Sequence, residues 1–132
     1  MRSTALDAWH AVAKARDPAG LDALLAEDVV FHSPVVHTPQ RGRALTKKYL
    51  AAALAVLAND SFRYVAEWVG ANSAVLEFVT TVEGVEIDGA DFISWSDAQQ
   101  IVQFKVMARP LKAINLLHQR MAAQLAADAA GV

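Results

Sequence analysis

The sequence predicts an α+β fold in which helices lie against one face of a curved antiparallel sheet. Three helical segments come first, a long run of aromatic and β-branched residues follows, and a last helix closes the chain. The 132 residues suit one domain, so we expect a single domain over residues 1–132. Hydrophobic residues make up 55% of the chain, an excess that favours an apolar pocket, a subunit interface or both.

Helical spacing of apolar residues predicts three helices in the first part of the chain. The first runs from about Thr4 to Arg16. Asp17-Pro18 starts a second, short helix, because Asp caps a helix well and Pro suits its first turn. The buried face of this helix is expected to be Leu21, Leu24 and Leu25. A third helix spans Ala44 to Ala58, with an apolar stripe of Leu45, Tyr49, Leu50, Leu54 and Leu57.

A short strand, Val29 to Ser33, is expected between the second and third helices, and Pro34 ends it. The later β-rich region divides at turn residues into a four-stranded antiparallel meander. Its strands are Phe62 to Val69, Ala74 to Val82, Val85 to Trp95 and Ile101 to Ala108. Glu83-Gly84 suits a hairpin turn, and a bulge suits Asp88-Gly89 better than a turn does. The closing helix, Leu111 to Ala127, places Leu111, Ile114, Leu117, Met121 and Leu125 on one side.

Composition argues against several classes of function. The net charge is −2 with the basic residues scattered, so no nucleic-acid partner is expected. The absence of cysteine excludes disulfides and thiol chemistry, and the four histidines lack the spacing of metal ligands, so no metal site is predicted. No apolar run is long enough to cross a membrane and no signal peptide is apparent, so we expect a soluble cytoplasmic protein.

Two stretches resemble a known superfamily. Residues 21–34, a loop and then Gly42-Arg43 before a helix look like the opening of SnoaL-like proteins, and residues 89–95 with 100–102 look like their late hairpin. The chain thus resembles the nuclear-transport-factor-2-like superfamily, which includes the ketosteroid isomerases, SnoaL-like cyclases and limonene epoxide hydrolases. The resemblance implies a cystatin-like fold: three N-terminal helices with a short strand, then the meander curved into a cone with an internal pocket, and a C-terminal helix.

The resemblance to ketosteroid isomerases also suggests which residues carry function. Ser33 occupies the position of their catalytic base, an aspartate, and Trp9 that of a hydrogen-bonding tyrosine. Asp91 matches a second hydrogen-bond donor, an aspartic acid in the next-to-last strand. Serine cannot abstract a proton unaided and Trp9 lacks a hydroxyl, so the sequence argues against ketosteroid isomerase activity.

Strand alternation places Asp91 on the same face as other pocket candidates, in apolar surroundings that should raise its pKa. We predict Asp91 as acid or base, with His32 as a second catalytic candidate near neutral pH. Alternation puts His32 on the face opposite Ser33, and the loop residue His37 is expected in solvent. Alternatively, Asp91 binds a backbone N–H or Arg109 and stabilises the hairpin. The expected pocket wall comprises Trp9, Phe31, Ser33, Tyr49, Phe78, Ile93, Trp95, Phe104 and Val106.

Two functions remain open, with a protein-interaction role as a third. One is an enzyme without cofactor, an isomerase, dehydratase, cyclase or hydrolase of a small apolar carbonyl or hydroxyl compound. The other is a non-catalytic module that binds a small apolar molecule. Trp68, Phe92 and Met107 are large for a sheet face without a covering helix, so we expect a homodimer through that outer face. The closing helix covers the pocket mouth or extends the interface.

Overall fold

The structure, a computed structural model, describes residues 3–130, which form four α-helices and one curved, mixed sheet of six strands. The predicted α+β class is therefore confirmed. The helices are α1 (Thr4–Ala15), α2 (Leu21–Leu24), α3 (Arg43–Leu57) and α4 (Leu111–Ala130). The strands are β1 (Leu25–His32), β2 (Gln40–Arg41), β3 (Arg63–Val69), β4 (Ser73–Val82), β5 (Val85–Trp95) and β6 (Ile101–Arg109).

The sheet has the strand order β2-β1-β6-β5-β4-β3. Strands β3 to β6 form the predicted antiparallel meander, whereas β1 pairs parallel to β6. The hairpin turn at Glu83-Gly84 is confirmed, and its residues have φ angles of 51° and 77°. Strand β3 lies at one edge of the sheet, so its only neighbour within residues 3–130 is β4.

Two predictions around the first strand were wrong. Strand β1 begins at Leu25, four residues before the expected start, and the helix before it is a single turn that follows a 3₁₀ turn at Pro18–Gly20. Leu25 is extended because its backbone pairs with Ile101, and its carbonyl accepts a 2.9 Å hydrogen bond from Arg43 Nε. The two-residue strand β2 had not been predicted. It exists only through its pairing with Val30 and Phe31.

The predicted apolar sides of α3 and α4 each contain one residue that is exposed. Leu45 is 36% exposed, because α3 instead buries Thr46, from which Leu50 and Leu54 follow at four-residue intervals. Leu111 is 74% exposed. Helix α4 buries Ala113, Leu117 and Met121, and Leu111, two residues before Ala113, lies on the other side of the helix.

Strand β5 continues without a bulge at Asp88-Gly89, contrary to the prediction, and its nearest register shift is at Ser94/Trp95. Gly89 has a different role. A Cβ atom at this position would lie 2.3 Å from Cζ of Phe78, the residue opposite it on β4. Glycine therefore allows the Phe78 ring to lie directly on the backbone of β5.

One face of the sheet is covered by helices, and the other is exposed. Helix α4 packs against α3 and contacts β5 and β6, and Arg120 forms an ion pair with Glu83 in the β4–β5 turn. The outer face remains exposed, with Trp68 at 59% and Met107 at 53%. The homodimer expected at that face stays a prediction. Among the helices of residues 3–130, none combines the length and hydropathy that a bilayer crossing requires.

We expect Gly89→Ala to lower the free energy of unfolding by about 1–3 kcal/mol, the usual cost of an extra methyl group in a packed core. The added Cβ would displace the buried Phe78 ring, which stacks on Phe62 at 5.3 Å. Urea unfolding measures this change. In a Phe78→Leu background the same substitution should cost less, because the smaller side chain can move. An equal loss of unfolding free energy in the wild-type and Phe78→Leu proteins would show that the added methyl group does not contact the Phe78 ring.

Candidate functional site

A buried carboxyl group lies inside the fold. Asp91 is at the centre of β5, between Leu76 on β4 and Val106 on β6, and is 5% exposed. It lines a cavity of about 40 Å³ whose other walls are almost wholly apolar. These walls come from α1, α3, the α3–β3 connection and the sheet: Trp9, Ala13, Leu50, Ala53, Leu54, Leu57, Ala58, Phe62, Tyr64, Phe78, Phe104 and Val106.

A chain of two hydrogen bonds connects Asp91 to α1. The Tyr64 hydroxyl on β3 donates to Asp91 Oδ2 at 2.5 Å, and Trp9 Nε1 on α1 donates to the Tyr64 oxygen at 2.9 Å. Because Trp9 is only a donor, the Tyr64 proton is left for the carboxylate. Within residues 3–130, Asp91 Oδ1 has no hydrogen-bond partner. Arg109, the alternative partner considered for Asp91, instead pairs with Asp88 at 3.3 Å.

Two opposing effects set the protonation of Asp91. Burial disfavours its charged form and raises its pKa from 3.8 to about 7, although the hydrogen bond from Tyr64 lowers it. Burial, and then the nearby Asp91 charge, raise the pKa of the Tyr64 hydroxyl well above its ordinary value of 10. Near neutral pH, therefore, Tyr64 keeps its proton and Asp91 is present in both protonation states.

The structure brings only part of the predicted pocket together. The residues of the prediction that line the cavity with Asp91 are Trp9, Phe78, Phe104 and Val106. Phe31 is fully buried behind them, with ring centroids 6.2 Å from Phe104 and 6.0 Å from Tyr49. Ile93 and Trp95 are buried in the core and do not line the cavity. The Trp95 indole nitrogen has no hydrogen-bond partner within residues 3–130.

The remaining candidates, His32 and Ser33, lie outside the Asp91 cavity. Both line a separate cleft of about 610 Å³ beneath the loop of residues 34–39, together with His37. Phe31 faces the core, so His32 faces outward beside Lys105, its register partner on β6. Burial, then Lys105 and Arg41, lower the pKa of His32. Ser33 Oγ accepts a hydrogen bond from the Val35 N–H at 3.1 Å. The structure therefore does not bring His32 to Asp91.

Tyr64 and Phe62 had been given no role in the sequence analysis. Phe62, the residue before β3, is two residues from Tyr64, so alternation puts both on the same face, and Tyr64 is opposite Phe78 on β4. That pairing was the one signal that could have placed Tyr64 near the pocket. Its contact with Asp91 depends on a register shift between Tyr64 and Ala66. Alternation does not reveal such a shift.

A metal centre finds no support in the geometry. Within residues 3–130, no three His, Cys, Asp or Glu side chains come close enough together to hold a metal ion. The site is instead one carboxyl, one phenol and one indole in apolar surroundings. Such a group can bind a polar atom of a ligand, or take up and release a proton.

Comparisons with known proteins agree with this fold. A family model described as SnoaL-like domain matches residues 6–104. A crystal structure of a steroid delta-isomerase from Pseudomonas aeruginosa is 37% identical and has a TM-score of 0.90, covering 96% of this chain and 92% of that one. An uncharacterised protein with a cystatin-like fold from Silicibacter pomeroyi DSS-3 is 28% identical, with a TM-score of 0.89 over 96% of this chain and 89% of that one.

A more distant structure shows the fold alone. It is an NTF2-like protein of unknown function from Mesorhizobium loti, 19% identical with a TM-score of 0.69, covering 80% of this chain and 88% of that one. No curated protein sequence matches the chain. The family model spans most of the sequence, and the similar structures share its helices and curved sheet. The chain therefore belongs to the SnoaL-like domain family, within the nuclear-transport-factor-2-like superfamily.

Proposed function

We propose that this protein is an enzyme without cofactor that transfers a proton on a small apolar carbonyl compound, with Asp91 as the acid and base. The observation that carries this proposal is the Asp91 carboxyl, buried in an apolar cavity with a pKa of about 7. A general acid or base works best when its pKa lies near the operating pH, because both protonation states are then available.

The composition of the cavity favours proton transfer over hydrolysis. Within the described part of the chain, Asp91 is the only carboxyl group that lines it, and no imidazole does. Hydrolysis needs one group to activate water and another to protonate the leaving group. Isomerisation of an unsaturated ketone can be completed by one carboxylate, which takes a proton from the carbon next to the carbonyl and returns it to a more distant carbon.

Tyr64 supplies the second part of this chemistry. When Asp91 accepts the proton, the C–H electron pair forms a C=C bond and the carbonyl oxygen becomes an enolate oxygen. The carboxyl is then neutral and a weaker hydrogen-bond acceptor, so the Tyr64 hydroxyl can donate to the enolate. The indole of Trp9 donates to the Tyr64 oxygen and holds it in place.

The similarity to the Pseudomonas aeruginosa steroid delta-isomerase supports isomerisation as the reaction class. Two features argue for a substrate smaller than a steroid. The cavity is about 40 Å³, whereas pockets for drug-sized ligands are about 300–1,000 Å³. In addition, Ser33, at the position that carries the base in ketosteroid isomerases, lies outside this cavity.

A binding protein without activity is the second candidate. It is favoured by the same scarcity of ionisable groups in the cavity, because a lone carboxyl can simply hydrogen-bond the head group of a ligand. In that case the Asp91 variants described below would change affinity, and no reaction would be found.

We expect an NMR titration of the Asp91 carboxyl carbon to give a pKa near 7. The Tyr64→Phe variant should raise this pKa further, since it removes the hydrogen bond that favours the ionised form. The Asp91→Asn variant identifies the Asp91 resonance, because that carboxyl-carbon signal is missing from its spectrum. A pKa near the ordinary value of 3.8 in the folded protein would mean an accessible, ionised carboxylate, and the proposal would fail.

The raised pKa also predicts how stability depends on pH. Between about pH 4 and 7 the folded protein keeps a proton on Asp91 that the unfolded chain releases, so its free energy of unfolding falls as the pH rises. At about 1.36 kcal/mol per pKa unit, the loss from Asp91 amounts to roughly 4 kcal/mol. Asp91→Asn should flatten this profile in urea unfolding, whereas Asp28→Asn, which changes an exposed carboxyl on β1, should retain it.

Turnover is tested with β,γ-cyclohexenone, a small ketone whose isomerisation gives a conjugated product that absorbs in the ultraviolet. Asp91→Asn should lower kcat by about 10²–10⁴-fold, the usual contribution of a general base. Asp88→Asn is the control and should remain active. Activity that survives in Asp91→Asn would exclude Asp91 as the base. Binding of the ketone to the wild-type protein without any conversion would favour the binding-protein alternative.

A further inference from the structure

A surface cleft adjoins the Asp91 cavity. It lies between α1 and the start of β3, has a volume of about 340 Å³, and shares four lining residues with the cavity. These are Ala13, Ala58, Phe62 and Tyr64. Phe62 and Tyr64 are half-buried, with ring centroids 5.1 Å apart, and so stand between the solvent and Asp91. This cleft therefore adjoins the cavity at these two rings.

The ionisable side chains that line the cleft are mainly basic. All four of its ionisable side chains apart from Tyr64 are basic: His10, Lys14, Arg16 and Arg63. Glu67 pairs with His10 at 2.7 Å and Asp60 with Arg16 at 2.9 Å. Lys14 and Arg63 have no carboxylate within 4 Å in the described part of the chain. Since the whole protein has a net charge of −2, this local excess of positive charge is not a general property of its surface.

We propose that the cleft admits an amphipathic carboxylate, which keeps its charged group on Lys14 and Arg63 while its apolar body passes Phe62 toward Asp91. This inference rests on the proposed function, because it takes the Asp91 cavity as the place where the ligand is held. It adds the substrate class, an apolar carbonyl compound with an acidic group at its far end.

Electrostatics determines which end of such a ligand enters. A carboxylate in the cavity would lose its hydration in apolar surroundings and would meet the Asp91 carboxylate at close range. At the rim it remains hydrated and faces two cations. The neutral carbonyl end has neither cost, so it is the end that reaches Asp91 and Tyr64.

The cleft is bounded on both sides by contacts between α1 and residues of the β3 side. His10 binds Glu67 and Arg16 binds Asp60, and these positions on α1 are six residues, or about 9 Å, apart. The wall at the α3–β3 connection is held by Asn59, which donates to the Thr81 carbonyl at 2.9 Å and accepts from the Ser61 N–H at 2.8 Å. The two ion pairs therefore mark the ends of the cleft along α1.

The test compares γ-benzoylbutyrate with its neutral methyl ester, which has the same apolar carbonyl body. Calorimetry measures affinity, and the NMR resonance of the Trp9 indole N–H reports whether the probe reaches the cavity. We expect the anion to bind more tightly than the ester. Lys14→Ala and Arg63→Ala should each lower the affinity for the anion by about 3-fold, and the double variant should lower it by about 10-fold. The affinity for the ester should not change.

Control variants separate charge from shape. Lys14→Arg and Arg63→Lys keep the charge and should retain most of the preference for the anion. Lys112→Ala removes a cation outside the cleft and should change neither affinity. Added salt should reduce the advantage of the anion, because the rim is exposed and screened.

The possible failures are distinguishable. Equal affinities for anion and ester, with the Trp9 resonance shifted by both, would overturn the carboxylate inference and leave the Asp91 site intact. A preference for the anion that survives in the double variant would overturn the role of Lys14 and Arg63. If neither probe shifts the Trp9 resonance, the cavity is not their binding site and the inference fails, whereas the proposed function is decided separately by the turnover of β,γ-cyclohexenone.

Discussion

The hydrogen bond from Tyr64 to Asp91 joins an edge strand to the centre of the sheet, and it is made inside an apolar cavity. To form it, Tyr64 on β3 must reach across β4, where Phe78 lies between the two strands. The Phe78 ring sits on the backbone of Gly89 and meets the Tyr64 ring nearly at right angles, with centroids 6.4 Å apart. The missing side chain at Gly89 thus contributes to the orientation of the phenol.

Two effects of opposite sign act on the pKa of Asp91, and burial is the larger of them. Removing a carboxylate from water is costly, and a short hydrogen bond from a phenol recovers part of that cost. Their balance, more than either effect alone, leaves the pKa of Asp91 near neutrality. A fully polar environment would ionise the group permanently, and a wholly apolar one would keep it protonated. The folded protein is therefore less stable at neutral pH than at acidic pH, but its carboxyl can exist in both protonation states.

Periodicity was sufficient to predict α1, α3, α4 and the four strands of the meander, because each is long and has neighbours close in sequence. The parallel pairing of β1 with β6 and the short strand β2 depend on distant partners, so no local pattern indicated them. Asp91 was found through family resemblance together with strand alternation. Tyr64 was missed because its contact with Asp91 crosses β4 and depends on a register shift. Alternation had placed His32 on the face opposite Ser33, but both line the same cleft, because β1 ends at His32 and alternation does not extend to Ser33.

The position of Tyr64 at the edge of the sheet has a consequence for motion. Within residues 3–130, β3 is paired on one side only, and edge elements generally open more readily than central ones. Each time this strand separates, Asp91 loses the Tyr64 hydrogen bond and also the ring that shields it from solvent, and because burial is the larger of the two effects its pKa falls. The acidity of the buried group thus reports whether the edge strand is docked, and a partner that added a strand to β3 would adjust the chemistry without touching the cavity.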